Sequence, residues 1–562
     1  LKIKFIVKKT FTGLVLISWF FSSLACSQGY LGARELTATA QVNQPARAVI
    51  VPTQTPAPLK PTATFADIPT VPVPVLETET PVPQPTDTVA TLVPTSQVTQ
   101  TSLPGHIPTA SASITLPPPS ANNPNEKPPI LYYAQSGDTL SAVAVRFGVK
   151  TEQILSPQTI PAQTLITPGQ VLVIPDVLEN IGPNEAIFPD SEIVYSPSAV
   201  DFNIHAFVGK TNGYLSTYKE YLSTGWNSGA DVIQRVATEN SVNPRLLLAL
   251  IEHQSHWVYG NPTNLAETDY PLGHVDVLYK GLFKQLNWAV QQLAVGYYGW
   301  RAGLVTELDF PQKEQMRLAP GLNAGTTATQ LLFSKLYDRH RWNTELYGEG
   351  SVLETYKKMF DNPWIRAQTV EPLYPTTLTQ PEIQLPFEAG RVWSYTGGPH
   401  SAWGPDGALA AIDFAPSSYA SGCVESTEWV VSATSGLVVR SENGAVIVDL
   451  DGDGHEQTGW VIMYMHIATK GRVPVGTLLD INDKIGHPSC EGGRATGTHT
   501  HVARKYNGEW ILADGPVPFV LSGWQVHAGK MPYLGTLTKD NKTVEANIYG
   551  SFETHISRQV AP

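Results

Sequence analysis

Apolar and polar positions alternate in four different ways along the chain. Behind Lys2, Lys4, Lys8 and Lys9, residues 11–21 are apolar throughout but too short for a confident membrane span. From about residue 41 to 127, Pro, Thr, Val, Ser and Ala follow one another without helical or strand period, and prolines recur too closely for either element. Leu140, Val143, Ala144 and Phe147 then fall at helical spacing, between an extended Leu131-Tyr132-Tyr133 and an extended Val171-Leu172-Val173-Ile174. A second short helix is expected at Thr151 to Leu155. Residues 190–375 read as mostly helical, with a strongly apolar helix opening at Asn243-Pro244. Beyond about Leu385, short β-rich runs are punctuated by glycine turns.

The expected architecture is multidomain. It comprises an export segment (1–26), an extended linker (27–129), a small βααβ module (130–178), a mostly α domain (190–375) and a mainly-β, antiparallel-sheet domain (385–562). The length of 562 residues exceeds what one core organises. As a flexible coil, about 90 linker residues span on the order of 50 Å. Charged residues make up only 15% and the net charge is −12, which argues against a nucleic-acid partner.

Ser23-Leu24-Ala25-Cys26 closes the export segment. It resembles a bacterial lipoprotein signal, which implies lipidation at Cys26 and a membrane anchor. An ordinary signal peptide cut nearby is the alternative. Either places the protein in the cell envelope or outside it. The remaining cysteines, Cys423 and Cys490, make an even pair for an oxidising compartment, and a disulfide is expected over two separate thiols.

Gly137-Asp138-Thr139-Leu140, Arg146-Phe147-Gly148-Val149 and Pro168-Gly169-Gln170-Val171-Leu172-Val173-Ile174-Pro175 resemble the LysM module. The resemblance implies binding to the glycan of peptidoglycan, with Gly137, Asp138 and Thr139 as candidate contacts. A LysM-like fold serving only as a spacer is the alternative. Val242 to Ser255 resembles the active-site helix of lysozyme-like lytic transglycosylases, but Gln254 stands where their general acid belongs. An amide cannot protonate a leaving oxygen. The expectation is a lysozyme-like domain without catalysis, or a helical spacer.

Four separated pieces carry the chemistry. Gly397-Gly398-Pro399-His400 ends an irregular backbone. Asp413 lies in Ala410-Ala411-Ile412-Asp413-Phe414, where burial penalises an uncompensated carboxylate. His466 follows Trp460 to Met465, on a face expected to include Tyr464. His499-Thr500-His501 puts two imidazoles on one strand face. Two His and a carboxylate can hold tetrahedral zinc and leave a position for water. Iron in such a set ranks well below zinc, because two further His would have no role.

The set resembles the beta-lytic branch of the lysostaphin-like zinc endopeptidases, over roughly residues 385–540. The resemblance implies one Zn2+ held by His400, Asp413 and His501. It implies His466 and His499 as the catalytic pair, with His499 as base and His466 as donor to the oxyanion. The implied activity is hydrolysis of peptide bonds in peptidoglycan. A non-enzymatic wall-binding scaffold or regulator is the competing class. Asp449-Leu450-Asp451-Gly452-Asp453 begins like a calcium loop, but Trp460 replaces the closing Glu, and a solvated turn is the expectation.

Overall fold

The computed structural model describes residues 127–375, 377–417 and 422–559. Cys26 and the linker lie outside them.

The first module pairs β1 (Ile130–Tyr133) antiparallel with β2 (Val171–Ile174). Between them runs helix α1 (Leu140–Phe147), opened by the Thr139 side chain accepting from Ala142 N and closed by left-handed Gly148. The expected second helix is a single 3₁₀ turn, Thr151–Gln153. Val143, Phe147, Leu172 and Ile174 form its core.

The helical layer contains a hairpin, β3 (Lys219–Leu222) and β4 (Gly225–Ser228), after the short helices Ile204–Thr211 and Tyr214–Thr217. Ser228 then caps α2 (Gly229–Asn240) through a reciprocal bond with Asp231. Helix α3 (Pro244–Ser255) starts on an Asn243 cap with Pro at its first turn. Leu246 to Ile251 are all buried, so this helix is apolar all round because it is interior. Helices α4 (Leu282–Arg301) and α5 (Ala324–Leu336) complete the layer. No helix among the described residues is long and apolar enough to cross a membrane.

The C-terminal part is a nine-stranded antiparallel sheet. Its main strands are β5 (Val392–Ser401), β6 (Leu409–Pro416), β7 (Gly436–Glu442), β8 (Ala445–Asp449), β9 (Trp460–Met465) and β10 (Thr500–Tyr506). The order runs Leu478–Leu479, β7, β8, β9, β10, β6, β5 and His555–Ser557, with β11 (Glu509–Trp510) beside β10. Strands β12 (Trp524–Ala528) and β13 (Gly535–Lys539) belong to a second, four-stranded sheet.

Both faces of the large sheet are buried. Ala411, Ile447, Val461, Met463 and Ala503 share one core with the helical layer. Ile412, Val446, Val448, Ile462 and Tyr464 share the other with Phe519, Val526 and Leu537 beneath the four-stranded sheet. A sheet covered on both sides needs apolar residues at every position, which explains the unbroken runs Ala445–Val448 and Val461–Met465.

The acidic loop after β8 is bonded internally, with carboxylate oxygens of Asp449, Asp451 and Asp453 within 4.8 Å of one another. Asp449 accepts from Asp451 N and Gly454 N at 3.2 and 2.9 Å.

Candidate metal centre

Asp413 occupies the middle of β6, opposite His501 of β10 and Gly397 of β5. The pairing of β5 with β6 slips three times between Tyr395 and Ser401. Those irregularities turn His400 toward Asp413. Gly397 is required by proximity: a Cβ there would sit 2.5 Å from Asp413 Oδ2.

His400 Nε2 and His501 Nδ1 lie 3.3 and 3.2 Å from Asp413 Oδ1, and 2.9 Å from each other. The opposite ring nitrogens face carbonyl oxygens: His400 Nδ1 faces Gly398 O at 2.8 Å, and His501 Nε2 faces Ala402 O at 3.0 Å. A carbonyl only accepts, so each far nitrogen carries the proton. Each near nitrogen then presents a lone pair. Three acceptors therefore converge in a buried space, and Asp413 Oδ1 has no hydrogen-bond donor. Such a cluster repels itself unless a cation or protons sit within it. The separations approach the edge of a tetrahedral zinc shell, about 3.4 Å for bonds near 2.1 Å. The residues fit the metal.

His499 and His466 stand beside this trio with ring centroids 4.4 Å apart. His499 Nε2 is 3.8 Å from Asp413 Oδ1, and its Nδ1 donates to Gly497 O at 2.7 Å. His466 Nδ1 donates to Glu491 O at 3.0 Å. Burial, then the charges of His499 and His501, pulls His466 down to about 3, so its ring is neutral.

His466 does not continue the strand. Its backbone is left-handed (φ 65°), costly for a residue with a Cβ. Ser489 holds it there, with N and Oγ at 2.6 and 3.0 Å from its carbonyl. This break corrects the expected pairing with Tyr464. That side chain lies in the opposite core, its hydroxyl accepting from Ala433 N at 2.8 Å.

The disulfide Cys423–Cys490 ties this region together. Glu491, next to Cys490, orients His466, while Thr498, next to His499, bonds Val424 N at 2.9 Å.

Tyr533 was not singled out by sequence. Its ring stacks on His400 at 4.1 Å between centroids and is 49% exposed. Two bonds, Gly398 N to Tyr533 O and Tyr533 N to Pro399 O, hold it over the site. Only the turn between β12 and β13 brings it there, and a tyrosine in a polar loop carries no signal of its own.

The three glycan candidates each make contacts within the fold. Asp138 is ion-paired to Arg146 and accepts from Tyr132 OH and Gln135 N. Gly137 packs against the Arg301 guanidinium, and Thr139 caps α1.

Residues 186–373 match the family described as "LasA, N-terminal domain", and residues 132–175 match the LysM domain. This family, not a lysozyme-like one, is the assignment of the middle domain. The buried α3 explains the misleading likeness. Glu252 there accepts from Val258 N and Tyr259 N, and Gln254 accepts from Tyr337. Protease LasA of Pseudomonas aeruginosa (strain UCBPP-PA14) is 26% identical over 346 residues, which is 58% of this chain and 75% of that protein. The chain is a homologue of the LasA and beta-lytic M23 metalloendopeptidases. The beta-lytic metalloendopeptidase of Lysobacter enzymogenes is 24% identical over 153 residues, covering 27% of this chain and 82% of its own. Among solved structures, the M23 metalloprotease pseudoalterin shares 23% identity over 30% of this chain and 96% of its own, at a TM-score of 0.26. The LysM match lies N-terminal to the part that matches LasA.

Proposed function

We propose that the protein is an exported, zinc-dependent endopeptidase that hydrolyses peptide bonds in peptidoglycan stem peptides or cross-bridges. The LysM module holds it on the wall. The observation that carries this reading is the convergence of two imidazole lone pairs and one carboxylate oxygen in a space with no donor. His400, Asp413 and His501 would hold the zinc. When bound, zinc polarises a scissile carbonyl and brings the pKa of bound water toward about 7.

The chain's own residues supply the proton traffic. Both His466 and His499 have Nδ1 committed to a carbonyl, so both offer Nε2 as an acceptor. Whichever takes a proton becomes an N–H donor to the oxyanion that develops on the substrate. His466 is thus an oxyanion donor only after protonation, which revises the fixed donor role given to it above. Tyr533, beside His400, walls the approach. The disulfide and the family's secreted character favour an oxidising location outside the cytoplasm.

The test is mass spectrometry of fragments released by the full chain from chemically defined peptidoglycans, with chelator and after zinc is restored. New peptide ends that vanish with chelator are expected. A protein that binds zinc yet leaves every wall preparation uncut would instead be a scaffold.

A further inference from the structure

The hairpin β3–β4 carries two large aromatic side chains that no part of the fold uses. Tyr221 and Trp226 are cross-strand partners, 68% and 72% exposed, with ring centroids 5.5 Å apart at 73°. Together they form an open corner on the outer face of the hairpin. Exposed aromatic pairs of this kind are uncommon without a binding role.

The corner is held rigidly. Glu220, on the inner face, accepts from Phe283 N at 2.9 Å at the start of α4. Tyr218 packs on Trp257 at 4.8 Å. Asn227 Nδ2 locks the turn by bonding Gly225 O at 2.7 Å.

Around the tip of the hairpin opens a cleft of about 470 Å3 between the helical layer and the peptidase sheet. Thr224, Asn227 and Gln234 line one wall, and Asn443 and Gln457 line the other. Arg235 pairs with Glu239 and Arg440 with Glu456, while Asp231 and Glu442 leave the lining mildly acidic. Amides and hydroxyls on both walls of an acidic cleft suit a neutral polyol better than an anion. One edge of the cleft lies at Asn443, in the turn between β7 and β8. Gly444, next to Asn443, accepts from Ile467 N at 2.9 Å, immediately after His466.

We infer that the Tyr221–Trp226 corner and this cleft form a second glycan site, independent of the LysM module. Its ligand is a β-linked strand of N-acetylated amino sugars. A pyranose ring stacks in the corner, and the strand passes over the hairpin tip into the cleft. A peptide branch from a sugar in the cleft then lies toward His466 and the metal centre. The polymer's identity rests on the wall-peptidase reading, but the corner and cleft do not.

The experiment is calorimetric titration of the full chain with the soluble β-1,4 hexamer of N-acetylglucosamine, alongside sedimentation with purified peptidoglycan. Trp226→Ala and Tyr221→Ala alter exposed side chains, so thermal unfolding checks that the fold survives. Gln234→Ala probes the cleft wall. One fewer hexamer site, or at least fivefold weaker binding, is expected for Trp226→Ala, with a smaller loss for Gln234→Ala. Unchanged stoichiometry and affinity in the Tyr221→Ala/Trp226→Ala pair overturns the inference. So does a wild type that self-associates through this corner, or one whose Trp226 is needed for anionic phospholipid vesicles and not for the hexamer. Wild-type hydrolysis of cross-linked peptides is measured separately, so failure of the peptidase reading is seen apart from failure of the glycan site.

Discussion

The Arg301 guanidinium of α4 donates from Nη2 to Glu509 Oε2 of β11 at 3.2 Å, and so joins the helical layer to the catalytic sheet. The same side chain bonds Asp190 at 2.9 Å and packs against Gly137 of the LysM module. Three parts of the chain therefore meet on one buried cation. Arg301→Ala leaves Asp190 and Glu509 buried without their counter-ion, and a cost of about 3–5 kcal/mol is expected. Denaturant unfolding checks this; a loss below 1 kcal/mol would mean the carboxylates find other partners.

His499→Ala should keep the metal and lose the reaction. The three convergent ligands remain, so about one zinc per chain is expected by elemental analysis. Turnover should fall by about 10²–10⁴, the usual worth of a positioned acid–base group. His501→Ala should lose both. Loss of zinc from His499→Ala would move that residue into the ligand set.

Gly397→Ala tests the metal centre from the backbone. The added methyl would meet Asp413 Oδ2 at 2.5 Å, so the carboxylate must shift. At least tenfold weaker zinc binding is expected in competition with a chromophoric chelator, with little change in secondary structure by circular dichroism.

Acid stability should depend on Glu456. Burial pushes this carboxyl up, but Arg440 and Lys505, at 2.9 and 2.8 Å, more than offset that and bring it down to about 2. A depressed carboxyl stabilises the fold above its unfolded pKa, near 4.3, and the contribution is lost as pH falls toward 2. The contribution is on the order of 3 kcal/mol. Glu456→Gln should flatten the stability curve between about pH 4.5 and 2. A wild type and variant with parallel curves across that window would remove the ion pair from the account.

The disulfide should matter for stability and for the placement of His466. Cys423 and Cys490 are 67 residues apart, and the chain-entropy model gives about 4 kcal/mol for such a loop. Cys423→Ser/Cys490→Ser should unfold at lower denaturant. It should also lower kcat more than it raises KM, since Glu491 would lose its anchor. Equal activity at permissive temperature would confine the bond to stability.

The five polar residues of the centre were named on the family resemblance, and the structure brings them together. Tyr464 was misassigned because a period of two holds only while the strand does, and the left-handed turn at His466 ends it. Asp138 stood as a glycan candidate, and its ion pair with Arg146, near the end of the helix it precedes, does not show in local pattern. The buried helix α3 resembled a lysozyme helix because any interior helix opened by Asn-Pro shows the same apolar run. That the sheet is covered on both faces follows from docking between distant segments, which local pattern does not encode.

The backbone at His466 sets folding against chemistry at a single position. A left-handed residue with a side chain costs of order 1–3 kcal/mol, and glycine or asparagine would adopt the same angles more easily. Selection for thermal robustness alone should therefore erase this histidine early, and selection for turnover should restore it. The position is a gauge of which pressure a lineage or a laboratory library has been under.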